Sequence, residues 1–198
     1  MDCDIFNLRG TEKEPYKEPY IKTEEAENTM LNIRFAGVND AVVLAEIHTR
    51  SWKAAYKGII PDETLDDITV EKRQKYFERA LTEKQEEDAI IFKDGKAVGF
   101  ICIGKCGDKD KPDTFGEIWG LYLLPEYWNM GIGTELTNWG INELRNRKYN
   151  KVTLWVLEEN INARKFYEKL GFGHDGTVEE IVIGGKRLKK YRYEKGIA

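Results

Sequence analysis

Alternating and helically spaced apolar positions divide this chain into a series of short elements. Leu31 to Phe35 reads as a first strand. Asn39 or Asp40 can cap the helix that follows. Leu44, Ile47, Ser51 and Ala55 recur there at helical spacing and predict its buried face. His48, Trp52 and Tyr56 run along the edge of that face, four residues apart. Pro61 breaks the pattern, and a second helix is predicted from about Val70 to Leu81. Ala89 to Phe92 and Ala97 to Gly104 read as a hairpin, because Asp94-Gly95 between them is a strong turn signal. Lys105 to Asp113 is polar, carries Gly107 and Pro112, and reads as an exposed loop.

A strand from Glu117 then leads through a glycine-spaced loop into a helix ending near Arg147, with Ile132, Leu136 and Trp139 as its apolar stripe. Val152, Leu154 and Val156 alternate as the next strand. Asn160 can cap a short helix in which Ala163, Phe166, Tyr167 and Leu170 share one face, and Gly171 suits its C-terminal end. Thr177 to Ile183 and Leu188 to Tyr193 make a final hairpin around Gly184-Gly185. The pattern as a whole predicts an α+β fold, a sheet sandwiched by helices.

The first 29 residues lack either period and read as an acidic, irregular extension, with residues 30–198 as a single domain. That extension holds eight acidic and four basic side chains, so the rest of the chain carries 27 of each sign. The balance argues against a nucleic-acid partner, which would need a basic face. Lys186, Arg187, Lys189, Lys190 and Arg192 do cluster, as a solvated strand face or as a phosphate or partner contact. No apolar run approaches the roughly 20 residues of a membrane span, and Met-Asp-Cys-Asp does not open a secretory signal. Cys3, Cys102 and Cys106 cannot build a disulfide framework, and His48 and His174 are too few for a metal cluster. These features predict a cytoplasmic protein with no metal and no membrane partner.

Candidate chemistry centres on the loop Asn129-Met130-Gly131-Ile132-Gly133-Thr134, which opens a helix directly after a strand. A helix start carries unpaired N–H groups and partial positive charge, and can hold a phosphate or pyrophosphate. Gly131 and Gly133 would let the backbone approach such an anion. Two familiar phosphate motifs are absent. Leu136 stands where the dinucleotide fingerprint needs its third glycine, and the Gly-Lys-Ser/Thr of the nucleotide P-loop is missing.

The stretch from Phe115 to Phe172 resembles the GNAT acyltransferases. Their first pattern is Gln/Arg-x-x-Gly-x-Gly/Ala after an apolar strand and a Pro-Glu-Tyr-like turn. Here the turn is Pro125-Glu126-Tyr127, Gly131 and Gly133 match the small positions, and Trp128 replaces the Gln or Arg. Their second pattern is Asn-x-x-Ala-x-x-Phe-Tyr-x-x-x-Gly-Phe, matched by Asn160, Ala163, Phe166, Tyr167, Gly171 and Phe172. The resemblance implies a mixed, mostly antiparallel sheet of six or seven strands flanked by about four helices, with two parallel strands splayed at the cofactor. It implies acetyl-CoA as co-substrate, held by the glycine loop, by Leu121, Tyr122 and Leu123 on the splayed strand, and by Asn160, Ala163, Phe166 and Tyr167. Tyr167 matches the family's general acid at the departing sulfur. Glu117, fourteen residues before Gly131, matches the general base of one branch; other branches use none. Trp52, Tyr56 and Glu117, with the acidic run Asp62, Glu63, Asp66 and Asp67, fall where the family builds its acceptor pocket.

The expected reaction is direct acetyl transfer, in a ternary complex, to a primary amine of a small molecule or peptide. Family members often form homodimers. The competing expectation is a non-catalytic acetyl-CoA sensor or interaction module, which would need neither Glu117 nor Tyr167.

Overall fold

The computed structural model describes residues 30–198; the expected acidic extension, 1–29, lies outside them. Seven strands form one sheet, β1 (Leu31–Phe35), β2 (Glu87–Lys93), β3 (Lys96–Lys105), β4 (Phe115–Leu123), β5 (Lys151–Leu157), β6 (Gly173–Ile183) and β7 (Lys186–Gly196), in the order β1-β2-β3-β4-β5-β7-β6. All neighbours are antiparallel except β4 and β5, which are parallel. The helices are α1 (Ala41–Tyr56), α2 (Asp62–Asp66), α3 (Val70–Thr82), α4 (Ile132–Asn146) and α5 (Ile161–Lys169). None is long and apolar enough to cross a membrane.

Two faces of the sheet are buried, as the apolar runs in β2 and β3 require. Ile90 and Phe100 pack with Leu44, Ile47 and Phe77 of α1 and α3 on one face. Ile91, Ile101 and Ile103 pack with Leu136, Ile141 and Leu144 of α4 on the other. Gly140 lets α4 approach closely, since a Cβ there would sit 2.7 Å from Ile101 Cδ1.

Several local expectations change in the tertiary setting. Asp40 does not cap α1 with its side chain. Its carboxylate instead takes the Gly37 N–H at 2.8 Å and both guanidinium nitrogens of Arg34 at 2.8 Å. The acidic run after Pro61 coils into the short α2, so the described residues hold five flanking helices where about four were expected. Arg192 is not on a solvated face. It is 2% exposed, bonded to Asp108, Asp110, Asp175 and Thr177, so it clamps the 105–113 loop onto β6 and β7. The charge cluster from which it comes is mixed in burial because strand side chains alternate faces.

Candidate active site

The β4–β5 pairing is short. Phe115, Gly116 and Glu117 pair with Lys151, Val152 and Thr153, and the two strands part beyond that point. From Ile118 onward the β5-facing edge of β4 offers backbone groups with no strand partner, a stretch that includes Leu121, Tyr122 and Leu123. On its other edge β4 stays paired to β3 but carries a bulge: Cys102 pairs with Gly120 and Ile103 with Ile118, leaving Trp119 as the extra residue. A bulge bends and twists the strand that holds it. Trp119 is displaced outward over Gly104, 43% exposed, with its indole N–H donating to the Lys105 carbonyl at 3.3 Å.

After β4, the chain turns through a 3-10 segment, Pro125–Tyr127, into the glycine loop. Asn129 (φ 59°) and Gly131 (φ 79°) are both left-handed, which swings the loop back to start α4. Thr134 and Glu135 donate to the Gly131 carbonyl, so the amides of Ile132 and Gly133 reach the helix mouth without a backbone acceptor. The two glycines do different work. Open space surrounds a Cβ placed on Gly131, whereas one on Gly133 would meet Leu123 at 3.1 Å and the Phe166 ring at 3.3 Å. Gly131 supplies a conformation and an open approach; Gly133 lets α4 close onto β4 and α5. Trp128, the departure from the family pattern, donates its indole N–H to the Leu123 carbonyl at 2.8 Å, tying the loop to the end of β4. Met130 is exposed at the loop tip, and Thr134 lies half-buried in the first turn of α4.

Asn160 is the cap that its type predicts, accepting the Ala163 N–H at 3.2 Å. It starts α5 beside the parted strands. Arg164 anchors α5 to β7 through the Tyr193 hydroxyl at 3.0 Å, and Tyr193 donates to Glu168 at 2.9 Å. Phe166 and Tyr167 stack edge to face at 5.0 Å. Tyr167 is buried, and burial raises its pKa further above the ordinary phenol value, with the nearby Tyr56 phenol adding to the shift. Tyr56 also raises the pKa of Tyr122, though burial is the larger cause there. The structure therefore brings three tyrosines together from α1, β4 and α5. Asn160 sits beside them, opposing the rise that burial imposes on Tyr56.

Trp52 joins them from α1, its ring 4.6 Å from Tyr56. Beneath it Ile60, Leu65, Leu157 and Leu188 form a small apolar cluster. The β6–β7 tip presses on α2 so closely that a Cβ at Gly184 would lie 1.9 Å from Thr64 Oγ1. Lys186 reaches the Ile59 carbonyl at 2.8 Å. Of the acidic run, Asp66 and Asp67 face Lys53 and Lys72 at 4.0 and 3.5 Å, and Asp62 and Glu63 are exposed on α2.

Glu117 lies at the branch point itself. Its carboxylate accepts the Gly107 N–H at 3.0 Å. Burial raises its pKa and Asp108 adds to the rise, while the Gly107 bond opposes it. A base with a raised pKa is better matched to proton abstraction near neutral pH than an exposed carboxylate.

The site thus pairs a free helix mouth with a parted parallel strand pair, and the family comparison agrees. Residues 44–172 match the model of the acetyltransferase (GNAT) family. The chain belongs to the GNAT family. An uncharacterized N-acetyltransferase of Bacillus subtilis, YuaI, is 27% identical over 164 residues, which span 81% of this chain and 90% of that one. A spermidine N(1)-acetyltransferase of Thermoplasma acidophilum is also 27% identical over 164 residues, 80% of this chain and 98% of that one. The crystal structure of the PaiA N-acetyltransferase of Thermoplasma acidophilum, solved with coenzyme A, superposes at a TM-score of 0.69 with 24% identity. It covers 84% of this chain and 99% of that one. The GNAT core is thus present from α1 to Phe172, and the chain is an N-acetyltransferase by family.

One group of buried and half-buried polar residues was not anticipated from the sequence. Asp88, Glu86, Arg73 and Cys102 line a cavity under β4 together with His48. The available signal was Asp88 itself, two residues before buried Ile90 on the inward side of a strand.

Proposed function

We propose that this GNAT enzyme transfers the acetyl group of acetyl-CoA to a primary amine of a small molecule or peptide, directly within a ternary complex. The observation that carries the reading is the parting of β4 and β5 immediately after Glu117 and Thr153, next to a helix mouth with free amides. The residues fit the cofactor: Gly131 is open to an anion, and the unpaired edge of β4 offers N–H and C=O groups to an amide-bearing arm. Ile132 and Gly133 amides would hold the diphosphate, and β4 backbone from Leu121 to Leu123 the pantetheine. The thioester supplies an activated acetyl group.

The protein's own residues supply the proton handling. A protonated alkylamine, with a pKa of about 10.4, must lose a proton before it can attack. Glu117 takes it, directly or through water. Tyr167 keeps its hydroxyl proton at neutral pH, because burial holds its pKa up, and can donate it to the departing thiolate. Trp52 and Tyr56 form the acceptor's aromatic wall, and the relative named as a spermidine acetyltransferase supports an aliphatic amine as acceptor. Buried free thiols at Cys102 and Cys106 support a reducing, cytoplasmic setting. The test is titration calorimetry with acetyl-CoA, coupled to thiol release across a panel of amines. Binding without thiol release for any amine would replace the transferase by a sensor.

A further inference from the structure

A cavity of about 110 Å³ opens beneath β4, on the face of the sheet covered by α1 and α3. One water needs about 10–15 Å³ of such space, so the cavity has room for several heavy atoms. At its inner end the ligating atoms of Glu86, Asp88 and Cys102 all lie within 4.8 Å of one another. Asp88 is 1% exposed, and neither of its carboxylate oxygens has a hydrogen-bond partner of good geometry, although the Cys102 thiol is close enough to oppose the rise in its pKa as a weak donor. His48 Nδ1 and Arg73 Nε are likewise buried and unpaired. The Arg73 guanidinium stacks on Tyr76 at 4.3 Å and Phe77 at 5.0 Å, while Glu86 takes the Tyr76 hydroxyl. Leaving a buried polar group unsatisfied is costly, and more so when it is charged. An apolar side chain at position 88 would remove that cost, so a carboxylate here calls for a partner.

Charge and shape select that partner. Once Asp88 is ionised, two carboxylates against one guanidinium leave a deficit of one positive charge, since burial and Arg73 drive the His48 pKa down to about 3 and keep its ring neutral. A divalent cation would overshoot the deficit beside Arg73. The walls are aromatic, from Phe100, Trp119 and Tyr122, and aromatic faces attract organic cations. The cavity also adjoins the transfer site. The Tyr122 ring is 4.8 Å from His48 and 4.8 Å from Phe100, while its phenol interacts with those of Tyr56 and Tyr167. Trp119, pushed out by the bulge, stands at the cavity's rim.

We propose that this cavity is a cation subsite that holds a second ammonium group of the acyl acceptor, so that the enzyme prefers aliphatic diamines to monoamines. The acceptor's identity as the bound cation rests on the transferase reading; cation binding itself does not. Asp88 would contribute the countercharge, Glu86 would share it, and the aromatic walls would contact the methylene stem.

The test uses the full chain and its Asp88→Asn variant, which keeps the shape and removes the charge. Calorimetry with putrescine and with hexamethylenediamine, at constant ionic strength, should show binding at least tenfold weaker in the variant. In thiol-release assays the ratio of kcat/KM for hexamethylenediamine over n-butylamine should also fall at least tenfold. Equal diamine affinity in parent and variant would overturn the subsite. So would Asp88-dependent binding of zinc or magnesium chloride that displaces the diamine, which would make the cluster a metal site. Asp88-dependent diamine binding without thiol release from any amine would uphold the subsite and overturn the transferase reading.

Discussion

Removing the Asp88 charge should stabilise the ligand-free protein at neutral pH and change how its stability depends on pH. Burial is the main cause that pushes the Asp88 pKa up to about 7 from 3.8, and Glu86 adds to it. Arg73, Tyr76, His48 and the Cys102 thiol also line the space around it. The folded carboxyl therefore holds its proton more tightly than the unfolded one. Between about pH 4 and pH 7 the folded state binds more protons, so stability falls as pH rises through that window and levels off above it. A shift of about three units corresponds to a ceiling of roughly 4 kcal/mol. The attraction of Arg73 is already contained in that value. The replacement side chain would still bury unpaired amide atoms at roughly 1–3 kcal/mol, so the net gain at about pH 8 is on the order of 1–3 kcal/mol. Well below pH 3.8 the parent carboxyl is neutral in both states, and the linkage contribution to the difference should vanish. Urea unfolding of parent and Asp88→Asn at about pH 5 and about pH 8 reads this directly as a change in the midpoint difference. Parallel pH profiles, or a variant less stable than the parent at the higher pH, would refute the reasoning.

Three further outcomes follow from the transfer site. Tyr167→Phe should lower kcat by about 10²-fold or more with little change in acetyl-CoA affinity, because only the proton donor is lost; unchanged turnover removes the role. Glu117→Gln should abolish the limb of the pH–rate profile set by a carboxylate whose pKa burial raises above 4.5, activity in the parent rising as pH climbs through that pKa. Identical profiles would leave Glu117 structural. Gly131→Ala and Gly133→Ala should fail differently. The first strains a φ of 79° at an open position and should weaken coenzyme A binding while leaving most of the fold's stability. The second forces a Cβ against Leu123 and Phe166 and should lower the unfolding midpoint as well. Equal stability losses would contradict this division.

Much of the architecture was readable because its signals are local. Turn chemistry at Asp94-Gly95 and Gly184-Gly185, the cap at Asn160, and the periods of α1, α3, α4 and α5 depend on residues a few positions apart. The same holds for the glycine loop, whose spacing and place after a strand announce a helix mouth. Other features escaped because they depend on partners far away in the chain. Trp128 replaces the family's Gln or Arg, and only the fold shows its indole holding the Leu123 carbonyl. Arg192, expected on a solvated face or at a phosphate or partner contact, is bonded instead by residues more than 80 positions away.

What the sequence determined by itself was the order and type of the elements, the anion-ready loop, and the family to which both motifs belong. Only the tertiary structure decided where β4 and β5 part, that Trp119 bulges out, and that Tyr56, Tyr122 and Tyr167 meet. It also decided that Asp88 sits unpaired among aromatic walls. Local conformation follows from short-range sterics and hydrogen bonding, which neighbouring residues carry. Burial, and with it the pKa of a carboxylate or a phenol, is set by atoms brought from distant segments, and no short stretch of sequence contains them.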